Sequence, residues 1–147
     1  MYVPPLDSIL RSIGMDRASF NTARSVKIPK ELFNLLLQVA VASSDFNEAG
    51  YVRENPDIAA AVRAGSVEDA RAHYIGYGFL EGRLGATPNV DERWYMQTYP
   101  DVAQAVKQGK VASAGEHYNV MGAAEGRSPS PDHTAVAVQW KRALAKA

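Results

Sequence analysis

Residues 45–85 read DFNEAGYVRENPDIAAAVRAGSVEDARAHYIGYGFLEGRLG, and residues 89–129 read NVDERWYMQTYPDVAQAVKQGKVASAGEHYNVMGAAEGRSP. The second stretch repeats the first 44 positions later and without a gap. The shared positions are mostly residues that cap, end or shape helices: Glu48/Glu92, Tyr51/Tyr95, Pro56/Pro100, Asp57/Asp101, Gly65/Gly109, His73/His117, Tyr74/Tyr118, Gly78/Gly122 and the closing Glu-Gly-Arg. A tandem unit of this length is usually one supersecondary module that packs against its copy.

Capping residues predict where the first helix of each copy begins. Asp45 precedes Glu48 by three positions, and Asn89 precedes Glu92 by the same distance. This separation is typical of a capping box, in which the first side chain and the glutamate satisfy backbone N–H groups reciprocally. We therefore expect each first helix to start at these pairs.

A proline separates the first helix of each copy from the second. The residue before a proline is disfavoured in the α conformation, so the first helix is predicted to end near Asn55 and Tyr99. Proline suits the first position of a helix because its missing N–H has no partner there. Pro56 and Pro100 are therefore predicted to open the second helix.

Glycines and short polar side chains predict the remaining boundaries. Gly65 and Gly109 are expected to end the second helix in the left-handed conformation. Asp69 and Ser113 are the N-cap candidates of the third helix. The glycines expected to end that third helix are Gly78 and Gly122. A tight Glu-Gly-Arg turn follows each of them.

The segment before the repeats is predicted to contain two helices. Residues 6–13 have apolar side chains at helical spacing and Gly14 follows, which predicts a short amphipathic helix. Residues 15–28 are polar and irregular, so we expect a connecting loop. Residues 29–42 form the strongest predicted helix, and it is apolar on most sides. Such a helix is normally buried, which leaves two alternatives: a central core helix or part of an oligomer interface.

The sequence as a whole predicts an all-α fold. No alternation of period two persists, and no Asn-Gly or Asp-Gly hairpin turn occurs. We expect one all-α domain over residues 1–147, in which two tandem three-helix repeats pack with an N-terminal hydrophobic helix and a C-terminal helix. Its predicted parts are the leader helices 1–44, the first repeat 45–88, the second repeat 89–131 and the C-terminal helix 132–147. Asp132 early in the last helix and basic residues such as Lys146 late in it suit the helix dipole.

Composition excludes several classes of function. Sixteen Lys and Arg balance sixteen Asp and Glu, so no net field attracts nucleic acid or anionic lipid. The absence of cysteine excludes disulfides, thiolate catalysis and cysteine-based zinc sites. The longest apolar stretch, within residues 32–42, is shorter than the ~20 residues of a membrane span, and the N-terminus lacks a secretory signal pattern. We expect a cytoplasmic protein by default, with export by another route left open.

The duplicated His73 and His117 are the first candidates for chemistry. A metal site on a helix would favour a second histidine four positions away, and the sequence places no histidine there. We therefore predict that each imidazole forms a hydrogen bond inside its own repeat, and we expect neither a metal nor a cofactor.

The duplicated arginines and aspartates are also predicted to be structural. An arginine has five donors, so Arg83 and Arg127 are expected to satisfy helix C-terminal carbonyls and a carboxylate of the neighbouring unit. Asp57 and Asp101 are expected to stabilise the helix dipole from the first turn. The other residues predicted to be structural are Pro56, His73, Tyr74, Pro100, His117 and Tyr118.

Three aromatic residues are the candidates for partner binding: Trp94, Tyr99 and Trp140. Aromatic faces pack on the apolar faces of sugars and on apolar partner side chains. Trp94 and Tyr99 replace Gly50 and Asn55 of the first copy, so the repeat itself does not require them.

The pattern Tyr-x4-Pro-Asp-Val/Ile-Ala, a glycine, then His-Tyr-x3-Gly-x2-Glu-Gly-Arg resembles a short bacterial repeat. That repeat is found beside glycosyltransferases and in large secreted proteins with calcium-binding nonapeptide repeats. The second copy keeps more of it, including Val102 and the Ser128-Pro129-Ser130 that follows the arginine. The resemblance covers roughly residues 45–130. It implies a bacterial origin and an association with surface polysaccharide, and it carries over no catalytic residue.

Three functions remain as hypotheses. The preferred one is a non-enzymatic protein-interaction or scaffolding module that binds a protein partner or associates with itself. The second is a glycan-binding accessory domain for the synthesis or export of bacterial surface polysaccharide. The third is a metal-dependent or hydrolytic enzyme that uses His73 and His117.

Overall fold

The computed structural model describes residues 2–87 and 89–145, and these residues form an all-α structure without any strand. The helices are α1 Leu6–Ser12, α2 Arg17–Thr22, α3 Lys30–Ala42, α4 Glu48–Glu54, α5 Pro56–Arg63, α6 Ala70–His73, α7 Glu92–Thr98, α8 Pro100–Lys107, α9 Ala114–His117 and α10 Thr134–Leu144. A π-helical turn follows α6 at Tyr74–Gly78, another follows α9 at Tyr118–Gly122, and a 3-10 turn at Pro131–His133 precedes α10. Pro88, at the predicted end of the first repeat, and Lys146, in the predicted last helix, lie outside the described residues.

The two sequence copies place their helices at corresponding positions. α4, α5, α6 and the first π turn lie 44 residues before α7, α8, α9 and the second π turn. Pro56 and Pro100 are the first residues of α5 and α8, as predicted. Asn55 and Tyr99 end the preceding helices, also as predicted.

Each copy has a small hydrophobic core of its own. The three helices of a copy contribute one buried apolar side chain each, at corresponding positions. These buried side chains are Tyr51, Ile58 and Ala70 in the first copy and Tyr95, Val102 and Ala114 in the second. Tyr51 and Tyr95 are 0% exposed. Their burial therefore joins the three helices of the same copy.

The predicted capping boxes of the first helices are wrong by two residues. The N-cap of α4 is Asn47 rather than Asp45, and that of α7 is Asp91 rather than Asn89. The side chain of Asn47 accepts a hydrogen bond from the N–H of Gly50 at 2.9 Å. The backbone N–H of each N-cap donates to a carbonyl in the loop after the third helix. This long-range hydrogen bond keeps the N-cap residue outside the helix. The prediction missed it because it considered only residues close together in the sequence.

The third helix of each copy ends at Gly78 or Gly122, as predicted, but its last turn is a π-helical turn that was not predicted. Both glycines lie at the end of a π-helical turn that continues the helix. The left-handed glycines are Gly82 and Gly126, in the Glu-Gly-Arg turns, each with φ +72°. A π turn has no local sequence signature, so the end of the helix was predicted but the π form of its last turn was not.

The predicted loop over residues 15–28 is also wrong in part, because it contains α2. Asp16 accepts from the N–H of Ser19 at 2.8 Å, and the Ser19 side chain completes a capping box. Arg17 in the first turn of α2 forms a two-pronged ion pair with Asp7 of α1, at 2.6 and 3.0 Å. The capping box and this ion pair therefore stabilise a short helix. The spacing of apolar residues did not predict it.

α3 is not a central core helix, which removes one of the two alternatives. It contains no buried residue, and Phe33 and Leu35 are about half exposed, at 49% and 52%. On one side, Gln38 donates from Nε2 to the carbonyl of Gly76 in the first π turn at 3.1 Å. Because each copy closes its own core, α3 packs on the outside and keeps apolar surface uncovered.

The final helix begins with the 3-10 turn and continues as α10, which has no buried residue either. Val136, Trp140 and Leu144 are 49–57% exposed and recur every four residues along one side of α10. Within the described part of the chain, no helix has the length and apolar content to cross a membrane.

We predict that Gly78→Ala destabilises the protein, because an added Cβ would meet the buried hydroxyl of Tyr51. Overpacking of this kind costs about 1–3 kcal/mol of unfolding free energy. Gly76→Ala is the matched control in the same turn, since a Cβ there meets nothing within 4 Å. Urea denaturation of both variants measures the difference. Equal unfolding free energies would contradict the importance of this close approach.

Candidate functional site

The duplicated tyrosine and histidine contact each other in both copies. The hydroxyl of Tyr51 lies 3.0 Å from Nδ1 of His73, and the hydroxyl of Tyr95 lies 3.2 Å from Nδ1 of His117. Each pair therefore shares a hydrogen bond inside its own copy. The predicted hydrogen-bonding role of the two imidazoles matches this geometry.

Burial also controls the protonation of these tyrosines. It raises the pKa of Tyr51, and it raises the pKa of Tyr95 to about 12. Both hydroxyls consequently stay neutral throughout the physiological range. Because Tyr51 and Tyr95 are 0% exposed, a molecule in solution does not contact either hydroxyl in this structure.

An arginine closes each copy by pairing with two carboxylates of that copy. Arg83 lies 2.8 Å from Asp57 and 2.7 Å from Glu81. Arg127 lies 2.7 Å from Asp101 in the same way. The expected partner in the neighbouring unit was wrong, because the Glu-Gly-Arg turn brings the guanidinium back to the first turn of its own second helix.

Asn55 and Tyr99 occupy equivalent positions, and each forms a hydrogen bond to the backbone at the end of its own copy, but through different groups. Asn55 donates from Nδ2 to the carbonyl of Leu84 at 2.9 Å. Tyr99 accepts at its hydroxyl from the N–H of Ser128 at 2.9 Å. Leu84 and Ser128 are equivalent positions, so both side chains tie the end of the copy to the end of its first helix. The guanidinium of Arg127 lies 4.9 Å above the Tyr99 ring, which further engages that ring within the protein.

Trp94 is half-buried and packs edge-on against Tyr99, with ring centroids 6.2 Å apart. In the first copy the position equivalent to Trp94 is Gly50, and the reason is steric. There the backbone of Gly85 passes so close that a Cβ on Gly50 would lie 2.7 Å from its carbonyl oxygen. Trp140 is the most exposed of the three candidate aromatic residues, at 57%.

Glu92 has a role that sequence reasoning missed. Its carboxylate accepts from the backbone N–H groups of Ala114 and Gly115, both at 2.9 Å. It therefore caps the third helix of its copy instead of its own. The sequence does indicate that the first N–H groups of the third helix need acceptors besides the side chain of Ser113. It does not indicate that Glu92 lies next to them in the folded chain.

A polar groove of about 580 Å³ lies between the two copies. Asn47 donates to Asn89 across it at 2.7 Å, and Thr87 donates to Asn119 at 3.2 Å. Its described lining contains no aromatic side chain, so it offers no ring on which a sugar could stack. Glu92 is part of this lining and already satisfies two backbone donors.

An apolar groove of about 550 Å³ lies between α3 and α10. Apolar residues of both helices and of the first copy line it: Leu37, Ala40 and Val41 from α3, Val136 and Trp140 from α10, and Tyr74, Phe79 and Ala86 from the first copy. His133 and Asp45 also line the groove, with Nε2 3.5 Å from Oδ2. Lysine, arginine and glutamate are absent from its described lining. This groove brings Trp140, a predicted partner-binding residue, next to the exposed side of α3.

The residues 2–87 and 89–145 contain no group of three or more metal-ligating side chains. No family model, curated protein or solved structure matches the chain.

We predict that Tyr95→Phe lowers the free energy of unfolding more than Tyr51→Phe does. Removing the Tyr95 hydroxyl leaves Nδ1 of His117, a residue only 6% exposed, without this partner. An unsatisfied buried polar group costs about 1–3 kcal/mol. His73 is less buried, so water can replace the Tyr51 hydroxyl there. Chemical denaturation of both variants provides the comparison, and equal losses would contradict it.

The arginine pairs predict how stability depends on pH. The hydrogen bond from Arg127 lowers the pKa of Asp101 below its usual range, so the unfolded chain binds this proton first as pH falls. The pair therefore stabilises the fold above pH ~4 and ceases to do so as pH falls through the lowered pKa. We expect Asp101→Asn to cost about 1 kcal/mol or less at neutral pH and nothing in acid. A difference that is constant from pH 7 to strong acid would contradict this role.

Proposed function

We propose that the chain is a non-enzymatic protein-interaction module whose binding surface is the apolar groove between α3 and α10. In this proposal the two copies are tandem three-helix units, and the first of them forms one side of the groove. The observation that carries the proposal is the coexistence of an open apolar groove with polar residues that are engaged internally. In this proposal the duplicated residues stabilise the fold of each copy, and the two flanking helices α3 and α10 bind the protein partner.

The shape and chemistry of the groove favour a helical protein segment as the partner. Two helices form its walls, and the lining supplies aliphatic and aromatic side chains with little charge. Amphipathic helices bind such grooves through apolar side chains spaced three, four and seven residues apart. Phe33 and Leu144 extend the apolar surface by one helical turn beyond Leu37 and Trp140, and both are about half exposed.

A glycan-binding role has less support. It required Trp94 and Tyr99 as a stacking platform, but Tyr99 is engaged on both its ring and its hydroxyl within its own copy. Trp140 remains the exposed indole, and its neighbours in the groove are mostly apolar. Saccharide recognition needs polar groups that converge on the sugar hydroxyls as well as a ring to stack on.

A displayed library of random peptides, selected against the purified protein, tests the proposal. We expect enrichment of peptides with apolar residues at helical spacing. These peptides should bind Val136→Glu at least roughly tenfold more weakly, since a carboxylate in an apolar interface loses its hydration. Val138→Glu is the matched control, because Val138 is 42% exposed on the same helix but does not line the groove.

Selection of peptides without apolar periodicity, or equal binding to both glutamate variants, would contradict the proposed binding surface. Binding of bacterial exopolysaccharides that is lost in Trp140→Ala would instead favour the glycan alternative.

A further inference from the structure

We infer that the occupant of the groove between α3 and α10 is a second copy of this chain, which gives a dimer with two-fold symmetry. This inference rests on the proposed function, because it names the partner of the same groove. A two-fold interface uses one surface patch twice, so the patch must be complementary to itself. A large accessible surface, exposed apolar side chains around the groove and the scarcity of charge in its lining favour such a contact.

The accessible surface is larger than a protein of this mass exposes as a compact monomer. The chain exposes 10123 Å² at a mass of 16.0 kDa. Folded monomers of that mass expose about 7,400 Å² by the usual scaling of surface with mass. Part of the excess belongs to residues 2–29, where only Leu10 is buried. The rest includes α3 and α10, neither of which buries a single residue.

The exposed side chains on these two helices are those that homodimer interfaces use. Phe33, Val136, Trp140 and Leu144 are each 49–57% exposed, and each either lines the groove or lies one helical turn from a residue that does. Specific interfaces of standard size cover about 800 Å² on each partner, with aromatic and aliphatic residues at their centre. The groove and the adjoining sides of α3 and α10 provide a central tryptophan, a phenylalanine and several branched aliphatic residues.

The charges permit this face to meet itself. In a two-fold contact an unpaired charge near the axis faces its own copy, and like charges repel. The described lining of the groove contains no lysine, arginine or glutamate, and the side chain of its one aspartate, Asp45, is 80% exposed to water. The whole chain has a formal net charge of zero, so no long-range repulsion opposes association.

Molecular mass in solution, measured by sedimentation equilibrium over a wide range of protein concentration, tests the inference. We expect twice the chain mass of 16.0 kDa in the wild-type protein. Val136→Glu should weaken dimerisation at least roughly tenfold, because it places two carboxylates in one apolar contact. Val138→Glu should dimerise as the wild type does. A wild-type protein that stays monomeric into the high micromolar range overturns the inference, and so does a dimer that responds equally to both variants.

A label provides a second test that does not depend on a destabilising substitution. Because the sequence has no cysteine, Ala40→Cys and Val138→Cys each give a single attachment point for a nitroxide. Ala40 lines the groove, so its label should become immobilised and show one defined distance to its counterpart. The label at position 138 should remain mobile. A mobile label at position 40 overturns the dimer.

The two proposals fail in different ways. If the wild-type protein is monomeric but selected helical peptides still bind in a Val136-dependent manner, the dimer is wrong and the interaction module stands. If neither copies nor peptides occupy the groove, the proposed function fails as well.

Discussion

The packing of one buried tyrosine against a glycine of a π-helical turn is the constraint on which the rest of this structure depends. In each copy the tyrosine comes from the first helix and its hydroxyl meets the histidine of the third, with no side chain on the intervening glycine. The contact fixes how these two helices approach each other. Pro56 or Pro100 then sets the second helix, and the Glu-Gly-Arg turn brings the arginine back to its first turn.

This arrangement divides the residues of the chain into two groups. The duplicated polar residues are engaged within their own copy, where they satisfy backbone and side-chain groups. The flanking helices α3 and α10 have no counterpart in the repeat, and they carry six exposed large apolar side chains: Phe33, Leu35, Val136, Val138, Trp140 and Leu144. The residues shared by the two copies therefore stabilise the fold, while α3 and α10, outside the copies, form the proposed binding surface.

Local steric rules made part of the fold predictable from the sequence. Proline fixes its own backbone and restricts the residue before it, so the junctions at Asn55 and Tyr99 were predicted correctly. The N-caps of the first helices were not, because Asn47 and Asp91 are held by loop carbonyls far along the chain. The π turns were missed since their spacing depends on how Tyr51 and Tyr95 pack.

The candidate site was harder to predict than the fold. Apolar residues on most sides of α3 indicate that other protein surface packs against this helix. They do not indicate whether that surface belongs to the same chain or to another one. Tyr99 was singled out because it differs from Asn55, yet both residues tie down the same loop. The groove itself joins α3 to Trp140, near opposite ends of the chain, and no sequence pattern links them.

Native-state hydrogen exchange tests most directly whether the tyrosine contact organises each copy. The N–H groups of Phe79 and Ala123 close the two π turns by donating to the carbonyls of Tyr74 and Tyr118, at 2.9 Å in each case. We expect these two amides to be among the slowest to exchange, and the amides of α1 and α2 among the fastest. Exchange of the π-turn amides as fast as those of α1 would contradict the central role of this contact.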